Sequence, residues 1–394
     1  MPIADKIQKG ITSPTYASRL AAESLTLQNQ YGPEKIFDLS VSNPVLEPPP
    51  EFVKELQTFV DARQSGTHRY MENAGYSANR VMVAEQLKRE TGLNFSKDEV
   101  IMTCGSSGAL NVVFRGLFNP GEELISFAPF YPEYAPYVEN YGGICKIIPA
   151  GPDFAPDLKA METAVTPKTK AVIINSPNNP TGLICSQETL KGISDVLTRK
   201  GAEYQTTIYA ISDDTYCRLV FDGVKCPRLL NYYANTIALT SYSGELSISG
   251  ERIGYAVVHP DCQDGKDVFG ALVYANRTLG FVNCPALMQN VIRRLPDTSM
   301  YLKDYQRKRN YLFGKLVGMG YKVVKPAGGF FMLVKSPLKD DAAFVSELKK
   351  HLILAVPGGE FQAPGYFRIS FCVEDKTLEG AMNGFQKALA SVKL

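Results

Sequence analysis

From Glu99 onward, short apolar runs alternate with stretches of helical periodicity. The runs are Val100–Thr103, Leu124–Phe127, Cys145–Ile148, Ala171–Ile174, Ile208–Ile211 and Thr236–Thr240. Strands of that length separated by helices predict a doubly wound, mostly parallel α/β sheet. Upstream, residues 15–31 carry helical periodicity through Tyr16, Leu20, Leu25 and Leu27, and Ile36–Leu39 reads as a short strand. The turn Ser42-Asn43-Pro44 and the proline-rich Glu47–Pro50 then mark a boundary, and helices are expected over 51–63 and 77–91, either side of a polar turn through His68-Arg69-Tyr70. Beyond about residue 290 the texture changes. A charged helix over 298–316 leads to strands at Tyr321–Val324 and Phe330–Val334, a helix at 342–350, strands at Leu354–Val356 and Phe367–Phe371, and a final helix. The expected division is an N-terminal arm with part of a small domain (1–49), a large domain (50–290) and a small α+β domain (291–394).

Composition narrows the function classes. With 394 residues, 45% of them hydrophobic, the chain can bury one large core or two. Net charge is +2, from 42 basic and 40 acidic side chains, which implies no field for nucleic acid or anionic membrane. The start, Met1-Pro2-Ile3-Ala4-Asp5-Lys6, lacks the apolar core of a signal peptide, and no run of about 18 apolar residues appears. Eight scattered cysteines without a Cys-x-x-Cys pair, and three dispersed histidines, argue against a metal site and for a reduced cytoplasmic protein.

In an open α/β sheet, ligands sit beyond the carboxyl ends of the strands, so the residues there carry the chemistry. Cys104-Gly105-Ser106-Ser107-Gly108 opens a helix: its free amides and hydroxyls make an anion seat or an ordinary serine cap. Tyr131, in Pro129-Phe130-Tyr131-Pro132, is an aromatic at a strand end, which by itself reads as packing. Asn175-Ser176-Pro177-Asn178-Asn179-Pro180-Thr181-Gly182 is a proline-punctuated turn. Asp213, before Asp214-Thr215-Tyr216, reads as a helix cap or a catalytic acid. In Ser241-Tyr242-Ser243-Gly244 through Arg252, hydroxyls and a guanidinium fork suit phosphate oxygens.

Taken together, in this order and over about residues 35–375, these motifs resemble the class I/II aminotransferases, fold-type I enzymes dependent on pyridoxal 5′-phosphate (PLP). The resemblance implies a large domain with a mostly parallel sheet of seven strands and a smaller α+β domain. It also implies roles. Ser106, Ser107, Ser241, Ser243 and Arg252 would hold the phosphate, and Tyr131 would stack on the pyridine ring. Asp213 would meet the ring nitrogen, while Asn179 and Tyr216 would share the phenolic oxygen. Arg368, in Gly365-Tyr366-Phe367-Arg368, would grip the substrate α-carboxylate beside Ser42 and Asn43. Tyr70 would reach a neighbouring subunit's phosphate, implying a homodimer with shared sites. The substrates implied are an amino acid and a keto acid, with no nucleic acid, membrane or metal.

Two positions depart from the family pattern. Ser42 stands where the family has glycine. Gly244 stands in the slot of the lysine that binds PLP covalently and carries the substrate proton, and no lysine occurs between Lys225 and Lys266. PLP is therefore expected non-covalently or as an external aldimine, with ordinary transamination badly impaired. Gly244 is consistent with a deliberate lysine-to-glycine trap, with a natural lysine-independent PLP enzyme using Tyr70, Tyr216 or solvent as base, or with a non-catalytic protein that binds PLP or amino acids. The intact cofactor set argues against long neutral decay, and Ser42 counts toward natural divergence. A nucleotide-binding α/β enzyme gains no support, since Gly-x-Gly-x-x-Gly and Gly-Lys-Ser/Thr motifs are missing. Arg277 reads either as a contact for an acidic substrate or as a surface or interface arginine.

Overall fold

The structure, a computed structural model, describes residues 2–12, 16–295 and 301–392. Among the described residues, twelve strands run in chain order. They are β1 (Phe37–Asp38), β2 (Val100–Thr103), β3 (Glu123–Phe127), β4 (Ile144–Ile148), β5 (Thr169–Asn175), β6 (Tyr209–Asp213), β7 (Thr236–Ser241), β8 (Gly254–Val258), β9 (Phe331–Lys335), β10 (Ile353–Leu354), β11 (Val356–Pro357) and β12 (Tyr366–Ser370). Seven of them form one sheet in the order β2-β8-β7-β6-β5-β3-β4. Neighbours are parallel except around β8, which runs antiparallel to both β2 and β7.

The strands of this sheet are near-continuous apolar runs because helices cover both faces. One face packs on helices Gly105–Leu117 and Gly265–Thr278 through Val112, Val113, Leu239 and Leu272. The other packs on helix Gln187–Tyr204 through Ile174, Ile193 and Leu197. Beside it stands the antiparallel sheet β11-β12-β9, backed by helices Leu302–Met319, Asp341–Lys350 and Asp375–Ser391 around an aromatic core that includes Phe331, Phe344, Phe367 and Phe385.

Several expected elements are placed differently. The run Gly254–Val258, absent from the expected strands, inserts between β2 and β7. Tyr321–Val324 is not a strand; it makes only an isolated bridge, Val323 to Val334. Leu354–Val356 is two strands rather than one, because the chain changes partners at Ala355. Ile353–Leu354 pairs with Phe37–Asp38, and Val356–Pro357 pairs with Phe367–Arg368. The charged helix runs Leu302–Met319, longer at its end than expected, and stops at Gly320 in the left-handed conformation; the start expected near 298 lies outside the described residues.

Gly254 shows how tightly β8 is fitted. A Cβ there would lie 2.3 Å from the Thr240 carbonyl oxygen and 3.1 Å from the Cα atoms of Gly105 and Ser241. Those are backbone atoms that cannot swing aside. Gly254→Ala is expected to destabilise the chain by about 1–3 kcal/mol or more, read as a lower urea midpoint at unchanged slope.

Candidate functional site

Beyond the carboxyl ends of β5, β6 and β7 lies a cavity of about 440 Å³. Asn175, Asp213 and Ser241 are the last residues of those strands rather than the first residues after them. The sheet itself therefore fixes their directions.

Asp213 is buried, and its carboxylate is held by two hydroxyls. Tyr134 Oη donates to Oδ2 at 2.6 Å and Thr215 Oγ1 to Oδ1 at 2.6 Å. Burial pushes the Asp213 carboxyl above the ordinary carboxylate range, and these hydrogen bonds oppose the rise. Asn175 joins the neighbouring strand ends. Its Nδ2 donates to the Asp213 carbonyl at 3.0 Å, and its Oδ1 accepts the Asn179 amide at 2.6 Å. Tyr131 and Tyr216 complete this part of the wall. Both phenols are pushed up, first by burial, so they stay protonated.

At one end of the cavity, Ser106 and Ser107 in the first turn of helix Gly105–Leu117 meet Ser241, Ser243 and Arg252. Free amides at a helix start and an arginine make an anion cup. Gly105 suits this turn because its φ of +72° lies in the left-handed region that L side chains rarely adopt, and a Cβ there would also push on the Arg252 guanidinium, 2.7 Å away. Arg252 donates to the Ser249 carbonyl at 2.8 Å and has no acidic partner among the described residues.

At the other end, Arg368 is buried between the rings of Phe331 and Phe361, its guanidinium carbon 4.9 and 4.7 Å from their centroids. It donates to the Ser40 carbonyl at 2.6 Å and to Asn179 Oδ1 at 3.2 Å, while its Nε has no partner among the described residues. Burial pulls its pKa down to about 10, and no carboxylate offsets this. A buried guanidinium with unfilled donors is built for an incoming anion. Ser42 lies on the same wall.

Three sequence-derived residues lie apart from this wall. Tyr70 is 87% exposed and outside the cavity of its own chain. Asn43 is exposed, its Oδ1 accepting from Ser249 Oγ at 2.8 Å. Gly244 is buried and not among the residues lining the cavity; a Cβ there would meet Leu219 Cδ1 at 3.0 Å and the Phe330 ring at 3.1 Å. Sequence reasoning missed Tyr134, Thr215 and Glu133. The first two are hydroxyls near Asp213 in space, although Thr215 is only two positions away. Glu133 lines the cavity, its carboxyl pushed up by burial, and its place two residues after Tyr131 was the available signal.

The sequence model described as aminotransferase class I and II matches residues 34–385. The chain is 30% identical over 345 residues to the probable aspartate/prephenate aminotransferase of Thermus aquaticus, covering 86% of this chain and 88% of that one. An amino transferase structure from Eubacterium rectale superposes with a TM-score of 0.95 at 32% identity, covering 100% of both chains. Thermus thermophilus aspartate aminotransferase with maleate superposes at 0.87 with 26% identity, covering 98% of this chain and 99% of that one.

Because its folded-state pKa is raised, Asp213 favours folding below the unfolded carboxylate range and loses that contribution as pH rises through the folded value. Burial thus disfavours the ionised carboxylate in the folded chain. Asp213→Asn is therefore expected to leave the melting temperature of the ligand-free chain unchanged or raised at pH 7.5.

Proposed function

Since the chain belongs to the class I and II aminotransferases, a family of PLP-dependent transferases, we propose that its cavity binds PLP and an α-amino acid without a covalent lysine link. The observation that carries this reading is one cavity joining an anion cup, a buried Asp213 and a buried Arg368 without a carboxylate partner, with no lysine or histidine in its lining among the described residues.

The residues present suit the cofactor. In this reading Ser106, Ser107, Ser241, Ser243 and Arg252 hold the phosphate, and the Tyr131 ring packs on the pyridine. Asp213, steadied by Tyr134 and Thr215, keeps a proton on the ring nitrogen. Asn179 and Tyr216 hold the phenolic oxygen. When bound, PLP supplies a carbonyl for the amine and an electron sink for charge at the substrate α-carbon. Arg368 takes the α-carboxylate as a bidentate partner beside Ser42. Tyr70 on the surface suits service to a second copy's site, hence a homodimer. Even charge balance and eight free cysteines suit the cytoplasm.

Proton transfer is the weak step. Tyr216 is held protonated by burial, so it is a poor base at neutral pH. Gly244 offers none. Ordinary transamination is accordingly slow. The two Thermus relatives carry aspartate or prephenate in their names, but the cations lining this cavity among the described residues are Arg252 and Arg368, and Glu133 adds an acidic group. Arg277 is exposed on helix Gly265–Thr278. The cavity therefore suits a neutral amino-acid side chain better than a second carboxylate. A non-catalytic ligand-binding protein is the second reading, supported by the same lack of a base.

Restoring the lysine separates the two. Gly244 has no left-handed φ, and both close neighbours are side-chain atoms, so Gly244→Lys asks only a few tenths of an ångström from them. Borohydride reduction of the PLP-loaded wild type should leave no pyridoxyl adduct on the chain by intact mass. Gly244→Lys should acquire one and gain at least ~10²-fold in keto-acid formation from a neutral amino acid. An adduct on the wild type would overturn the non-covalent reading. An adduct on the variant without turnover would favour the binding protein.

A further inference from the structure

Behind the cavity, Cys217 and Cys226 close the two ends of one loop, their Sγ atoms 2.7 Å apart. That is nearer than free thiols ordinarily rest, and short of a disulfide bond at about 2.05 Å. Both thiols converge on one backbone group: Cys217 Sγ donates to the Ser176 carbonyl at 3.3 Å and Cys226 Sγ to the same oxygen at 3.6 Å. The two differ in access. Cys217 is buried, whereas Cys226 is partly exposed. No step assigned to the cavity uses either of them.

We propose that Cys217 and Cys226 form a thiol-oxidation site that closes to a disulfide when the chain meets a hydroperoxide. Cys226, the exposed member, attacks one peroxide oxygen. The O–O bond breaks, Cys226 becomes a sulfenic acid, and water leaves in the case of hydrogen peroxide. The Cys217 sulfur then attacks the Cys226 sulfur. The S–O bond breaks, the S–S bond forms, and a second water leaves with the Cys217 proton. Two thiols lose two electrons in all, and one peroxide is reduced to two waters. Burial holds the Cys217 thiol well above its ordinary pKa, which keeps it from reacting first with solvent-borne oxidant. It suits the resolving role because its partner is already in contact.

The loop is connected to the cavity at several points. Tyr216 directly precedes Cys217, and Leu219 packs toward Gly244. Leu219 O accepts the Gly329 amide at 2.8 Å, and the Phe221 amide donates to Ala327 O at 2.8 Å, just ahead of β9. A closed disulfide would restrain the link between the seven-stranded sheet and the three-stranded sheet.

The test uses the full chain, reduced, desalted and titrated with hydrogen peroxide, with free thiols then alkylated and peptides mapped by mass spectrometry. The expected product is one Cys217–Cys226 disulfide, reversed by dithiothreitol, with a melting temperature raised by roughly 2–8 °C. Cys226→Ser should lose that shift. Cys217→Ala should instead accumulate a sulfenic acid at Cys226 that dimedone traps, which keeps the test open if the serine variant folds poorly. A disulfide formed only between other cysteines of the chain, or oxidation of Cys226 without a link to Cys217, would overturn the proposal.

Discussion

Asp213 and Arg368, an acidic and a cationic side chain, are buried in the wall of one cavity, and neither pairs with an opposite charge among the described residues. Asp213 receives hydroxyl donors, while Arg368 has a carbonyl, an amide oxygen and two ring faces. The adjacent acid makes the contrast plain. Asp214 is equally buried but pairs with Arg228 at 2.9 Å. Buried Arg309 likewise meets Asp222 at 2.7 Å. Where this fold needs a charge only for its own structure, it supplies the counter-charge. Leaving Asp213 and Arg368 without one is destabilising, and a ligand carrying a protonated ring nitrogen and a carboxylate would relieve both.

The remaining architecture serves to hold those two groups in register. β5, β6 and β7 end side by side at Asn175, Asp213 and Ser241, and the Asn175 amide ties its own strand to the next. Arg368 comes from β12, in a different sheet, and reaches Asn179 on the turn after β5. The cavity thus depends on the two sheets keeping their relation. The loop at 217–226, packed against residues 327–329, is one of the places where that relation is set.

Most of this was legible in the chain because strand ends carry both the hydrophobic signal and the polar residue that follows it. The alternation of apolar runs and helices predicted the sheet, and eleven of the residues singled out by the motifs line one cavity beyond its strand ends. What escaped had physical causes. Gly254–Val258 sits immediately after the Arg252 motif, so its short apolar run reads as the tail of that motif rather than as a strand. The split at Ala355 depends on which strands lie alongside, a long-range fact that local periodicity does not contain. Tyr134 reaches Asp213 across 79 positions of sequence. The absence of a lysine at 244 was plain from the residues, whereas the packing of Leu219 and Phe330 against that glycine required coordinates.

The central claim is that charges built into the cavity, without a covalent bond, suffice to hold the cofactor. Its most direct test is a PLP titration of the purified wild-type chain, followed by equilibrium dialysis, with pyridoxal lacking the phosphate as the comparison. Saturable one-to-one binding in the micromolar range, at least tenfold tighter for PLP than for pyridoxal, is the predicted result. No saturable binding up to millimolar PLP, or equal affinity for the two compounds, would contradict the account.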